Sequence, residues 1–104
     1  VMDGYVIDAD PAEALADRQK RGLPLLIGSN AREGLLVLPE DRLKVAIASE
    51  FGPNASKALA LYGVGQGAGA ADQLMGTPAE QFSTDSTFRC GSVEAARASA
   101  SADA

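Results

Sequence analysis

Four places in this chain hold residue types that could do chemistry. The first is the polar loop Gly28-Ser29-Asn30-Ala31-Arg32-Glu33-Gly34, which follows the apolar run Leu23-Pro24-Leu25-Leu26-Ile27. An open α/β sheet presents functional groups on loops just beyond the carboxyl ends of its strands, so Glu33 is a candidate site residue; an inert surface carboxylate is the alternative. The second is Cys90, the single cysteine. A thiolate nucleophile wants an imidazole base, and the chain has no histidine, so a small buried core residue competes with that reading. Asp85, in Ser83-Thr84-Asp85-Ser86-Thr87-Phe88, could be a catalytic acid, a helix cap or a buried, hydrogen-bonded carboxylate. Finally, Gly65-Gln66-Gly67-Ala68-Gly69-Ala70 fits the loose G-x-G-x-x-G/A pattern that cradles a pyrophosphate when a strand precedes it. Ala58-Leu59-Ala60-Leu61-Tyr62 in front of it is helical in composition, which favours a glycine linker.

The elements that must position these residues follow from local signals. Asp3-Gly4 reads as a tight turn into a short strand ending at Ile7. Asp10 is an N-cap, Pro11 suits the first helical position, and Glu13 sits where a capping box places it. Ala12, Leu15, Ala16 and Gln19 would form a narrow apolar stripe, with Gly22 as the stop. Leu23–Ile27 is too short for a helix and does not alternate, which suits a strand of a parallel sheet covered on both faces, with Pro24 at its start. A helix opens at Pro39-Glu40-Asp41, acidic in its first turn as the dipole favours, with Leu43, Ala46, Ile47 and Phe51 on one face until Gly52. Pro53-Asn54 opens another, with Ala55, Leu59 and Tyr62 on one face and Gly63 at its end. Thr77-Pro78 is a third cap pair, and Phe82, Phe88 and the later alanines fall on one or two further helices that Gly91 weakens.

Composition narrows the function classes. The 104 residues carry 9 basic and 14 acidic side chains, a net charge of −5 and a pI near 4.5, which argues against binding to nucleic-acid phosphates. No apolar run approaches the roughly 18 residues of a membrane span, and no signal peptide opens the chain. One cysteine allows no internal disulfide and no cysteine zinc site, and the missing histidine leaves a Ser-His-acid centre incomplete. The apolar fraction of 46% is in the globular range, but 20 of those residues are alanine, so the core of this single domain is thin. Val1 at one end and an alanine-rich stretch at the other read as cuts, which makes an internal segment the expectation.

Three blocks carry a resemblance: Val1-Met2-Asp3-Gly4-Tyr5-Val6-Ile7, then Pro24-Leu25-Leu26-Ile27-Gly28-Ser29-Asn30-Ala31-Arg32-Glu33-Gly34, then Thr84-Asp85-Ser86-Thr87-Phe88-Arg89-Cys90. In this order they resemble the type-B carboxylesterases, the α/β-hydrolase family of the para-nitrobenzyl esterases and cholinesterases. The middle block is the most specific, matching G-x-N-x-x-E-G at Gly28, Asn30, Glu33 and Gly34. The resemblance implies an α/β fold class: a partial α/β-hydrolase with one central parallel strand, a short hairpin strand and several helices. Residues 1–104 would be one segment around the acid loop, lacking the G-x-S-x-G elbow and the histidine loop.

By the same resemblance Glu33 is the acid of a serine-esterase triad, and Leu36 and Val37 line the substrate gorge, aliphatic where a quaternary ammonium would want aromatic rings. The implied function is hydrolysis of carboxylic esters by the larger enzyme, with this chain alone inactive and with no cofactor. The implied partners are a small-molecule ester and the remainder of the hydrolase, or self-association, to cover Leu23–Ile27. Cys90 matches a position that is disulfide-bonded in secreted members, and here reads as a reduced thiol. The alternative from another class is a non-catalytic, esterase-like interaction module.

Overall fold

A computed structural model describes residues 3–17, 24–33, 37–67 and 71–102. Gln19, Gly22, Leu23, Gly34, Leu36 and Ala68–Ala70 of the sequence reading lie outside these residues. The described elements are helical: α1 (Pro11–Ala16), α2 (Glu40–Phe51), α3 (Ala55–Tyr62), α4 (Pro78–Thr84) and α5 (Cys90–Ala102). A short 3₁₀ turn, Gly52–Asn54, joins α2 to α3, and a π-helical segment, Asp85–Arg89, joins α4 to α5.

Each boundary has a local cause. In α1 the Asp10 carboxylate accepts the Ala12 N–H at 2.8 Å, and Pro11 loses nothing by lacking a donor there. The helix ends at Ala16, well before the expected glycine stop, with the Asp17 N–H on the Glu13 carbonyl. α2 carries Glu40 and Asp41 in its first turn and stops where Gly52 turns to φ 49°. α3 ends in a left-handed Gly63, φ 70°, whose turn lets the Val64 N–H reach the Leu59 carbonyl at 3.0 Å. α4 opens with a full capping box: Thr77 Oγ1 accepts the Glu80 N–H, and the Glu80 carboxylate accepts the Thr77 N–H at 2.8 Å.

The core lies where α2, α3 and α4 meet. Leu43 and Ile47 of α2, Ala58 and Tyr62 of α3, and Ala79 and Phe82 of α4 are buried together, with Phe51, Leu59 and Val64 packed against them. The Tyr62 ring meets Phe82 edge-on at 5.7 Å between centroids and Phe51 at 6.4 Å. α1 lies apart from this cluster, against α5. The long axis reaches 49 Å and the radius of gyration 16.7 Å, against about 13 Å for a compact domain of this length.

The expected α/β fold is not there. Among the described residues no strand forms, and the one β-type pairing is an isolated bridge between Asp72 and Gly76. The expected hairpin strand fails because the Asp3 carboxylate captures the N–H groups of Tyr5, Val6 and Ile7 at 2.9–3.0 Å, leaving none for a ladder. Pro24–Ile27 has no helix, turn or bend, yet among the described residues no strand pairs with it, and a strand without a partner is no sheet. This helical architecture corrects the resemblance to the type-B carboxylesterases. A hydrolase sheet edge is missing, so the inferred ester hydrolysis, membership of a larger serine hydrolase, ester substrate and sheet-driven partners or self-association fall with it.

Candidate functional site

Within the loop that the sequence singles out, residues 30–33 are tied down by hydrogen bonds. Its carboxylate, on Glu33, accepts the Asn30 N–H at 2.8 Å and the Asn30 side-chain amide at 3.3 Å, closing residues 30–33 on themselves. The Glu33 N–H donates to Thr84 Oγ1 at 3.1 Å, and Thr84 is fully buried at the end of α4. Arg89, in the π segment, donates to the Ala31 carbonyl at 2.8 Å and pairs with Asp85 through its other nitrogen. Asp85 in turn accepts the Tyr62 hydroxyl at 2.8 Å. Arg32 completes the clamp with a 2.5 Å ion pair to Glu80.

Two groups of this clamp are shifted in acidity. Burial, reinforced by the bond to Asp85, pushes the Tyr62 phenol upward, so it stays a donor throughout the ordinary pH range. The Arg32 guanidinium, with the Thr77 N–H, holds the Glu80 carboxyl below the usual carboxylate range. Gly76 makes room for that pair: at φ 85° its added Cβ would meet Glu80 and come within 2.9 Å of Arg32 Nε.

What the clamp holds is the segment before it. Leu25, Leu26 and Ile27 are 42%, 100% and 40% exposed, an apolar run displayed beside a rigid loop. Among the described residues no hydrogen bond engages the backbone of residues 24–29.

Val37 stands elsewhere, on the rim of a cleft of about 250 Å³ between α2, the loop after α3 and the start of α4. Leu38, Leu43, Val64, Pro78 and Ala79 give it apolar walls, and Gly65 and Gly67 line its edge. Its charged side chain is Glu40, paired with Lys44 at 2.7 Å. That carboxylate repels a phosphate, and the glycine loop follows a helix rather than a strand, so among the described residues the context of a pyrophosphate cradle is not formed. The volume is below the range typical of small-molecule pockets.

Glu33 and Val37 are therefore not brought into one site, and Leu36 lies outside the described residues. Asp85 is hydrogen-bonded and partly buried, as one of its readings held. Cys90 is a free, exposed thiol rather than a core residue. The sequence reading missed Arg89, Thr84 and Arg32. Asp85 and Arg89 are four apart, which flags a helical ion pair, but nothing local shows that Arg89 reaches a carbonyl 58 residues away. No group of His, Cys, Asp or Glu suited to a metal ion occurs among the described residues, and no described helix is long and apolar enough to cross a membrane. Comparison with protein-family models, with curated proteins and with solved structures returns no match.

Proposed function

We propose that this chain is a protein-interaction module whose helices hold the apolar segment Leu25-Leu26-Ile27 out for a partner protein. The observation that carries the reading is the exposure of that run, with Leu26 wholly in water beside a loop tied down by Thr84, Arg89 and Glu80. A displayed apolar run on an anchored stem suits binding, because the ordering of its base is already done and the side chains still offer area. Burying a large aliphatic side chain is worth roughly 1.5–3 kcal/mol, so three partly or wholly exposed ones supply several kcal/mol to an association. In this reading Glu33 is a positioning residue, since its carboxylate closes the loop that orients the segment.

The test is site-specific photocrosslinking of the full chain in an extract of its source cells. A photoreactive residue at Leu26 is expected to give a discrete protein adduct that disappears on adding Leu25→Asp. The same label at Leu61, which is also highly exposed, serves as the control and should give none. Identical adducts from both positions, or none from Leu26, would refute the reading.

A further inference from the structure

We infer that residues 30–33 form a charge-held latch on α4 and the π segment, which acid opens while the core of α2, α3 and α4 stays folded. The device lies in the joint itself and needs no partner at Leu25–Ile27, so it goes beyond the interaction reading. Its ties to the helices are polar. Among the described residues, hydrogen bonds join the loop to the helices from the Glu33 N–H to Thr84 Oγ1, from Arg89 to the Ala31 carbonyl, and from Arg32 to Glu80. Asn30 and Arg32 are exposed, Ala31 and Glu33 are half-buried, and none of the four belongs to the buried core. Little apolar area is lost when such a loop lifts away, and its polar groups find water in exchange. The core is held instead by apolar burial of Leu43, Ile47, Ala58, Tyr62, Ala79 and Phe82, which does not depend on protons.

Charge decides the joint. On the loop side stand Arg32 and Glu33, and on the helix side Glu80, Asp85 and Arg89. At neutral pH Arg32 pairs with Glu80, and Asp85 holds Arg89 where it reaches the Ala31 carbonyl. Protonation of the three carboxylates leaves one cation on each side, so attraction across the joint gives way to like charges. Arg32 and the Thr77 N–H hold the Glu80 carboxyl low, so its grip is complete at neutral pH and is lost as pH falls through the depressed value. Glu33 also loosens its hold on the Asn30 N–H, which opens the loop from within. What remains is the neutral bond to Thr84 and an arginine no longer fixed by a carboxylate. Tyr62 faces Asp85 from α3, and Cys90 stands within electrostatic reach of that tyrosine, but phenols and thiols are uncharged in acid. The Tyr62 hydroxyl keeps its partner, because a protonated carboxyl still accepts a hydrogen bond.

The test is an acid titration of the isotope-labelled full chain followed by NMR. The amide signals of Asn30 and Glu33 report the latch, and the methyl signals of Leu43 and Ile47 report the core. The latch signals are expected to move to unstructured positions at a higher pH than the one at which the core signals collapse. Glu80→Gln combined with Asp85→Asn removes both helix-side carboxylates. It should lower the closed-to-open ratio about tenfold or more at neutral pH, with the core signals kept. Arg32→Gln, on a half-exposed side chain, is a milder second variant and should raise the pH of opening. Latch and core signals that change together in the unaltered chain would overturn the device. So would an unchanged ratio in the folded double variant, or an opening pH that Arg32→Gln leaves where it was.

Discussion

Replacing Arg89 with methionine tests whether the clamp holds the loop. Methionine keeps much of the aliphatic stem and removes the guanidinium, which pairs with Asp85 and donates to the Ala31 carbonyl at 2.8 Å. The two side chains of the pair are 25% and 20% exposed, so it is worth more than a surface ion pair and less than a sealed one, about 1–2 kcal/mol. The carbonyl bond adds about 1 kcal/mol, giving an expected loss of about 2–3 kcal/mol. Urea unfolding followed by circular dichroism measures the total, with the slope expected to stay constant. Amide exchange measures the locality. The Glu33 N–H, bonded to Thr84 Oγ1, should lose more protection than the amides of Leu43 and Ile47 in the core. Arg97→Met is the control, since the Arg97–Glu94 pair is about 70% exposed and should cost less than about 0.5 kcal/mol. A loss below about 0.5 kcal/mol in Arg89→Met, or unchanged exchange at Glu33, would refute the clamp.

Three further perturbations probe other parts. Ile47→Ala empties a fully buried site in a small core and should cost about 2–5 kcal/mol in urea unfolding; less than about 1 kcal/mol would mean that α2 and α3 do not pack as described. Gly76→Ala places a Cβ against the Arg32–Glu80 pair at φ 85° and should destabilise by about 1–3 kcal/mol, an effect that Glu80→Ala, which removes the carboxylate that the Cβ would meet, should reduce in the double variant. Because the folded Glu80 carboxyl is held below its unfolded value by Arg32 and the Thr77 N–H, its contribution is complete above the ordinary carboxylate range. That contribution fades as pH falls through the depressed value. Glu80→Gln should therefore flatten the acid side of the stability profile, and an unaltered profile would contradict the assignment.

The starts of α1 and α4 and both ends of α2 and α3 were legible because their causes lie within a few residues, whereas the stop of α1 was not, since it falls at Ala16 and not at Gly22. Thr77, Pro78 and Glu80 specify a start through hydrogen bonds within one turn, and Gly52 and Gly63 specify stops through backbone freedom that other residues lack. The apolar spacing of Leu43, Ala46, Ile47 and Phe51 likewise placed one face of α2 toward the core. The faces after α4 were harder to read. The π segment at 85–89 departs from the 3.6-residue count, so Cys90 emerges on the surface although its residue type favours burial.

Strand formation belongs to the tertiary structure alone. The composition of Leu23–Ile27 permits a strand, but a strand requires a neighbour that no short stretch of sequence can guarantee, and the described elements, all helical, supply none. The same holds for the site. Glu33 was visible as a carboxylate in a polar loop, while its setting depends on contacts spanning 51 residues to Thr84, and the loop's other ties span 58 from Ala31 to Arg89 and 48 from Arg32 to Glu80. Sequence by itself determined what is settled within a turn of backbone: caps, stops, charge and the absence of histidine. The packing of α4 and the π segment against residues 30–33 decided the rest, because it fixes which distant groups meet and which apolar side chains are left in water.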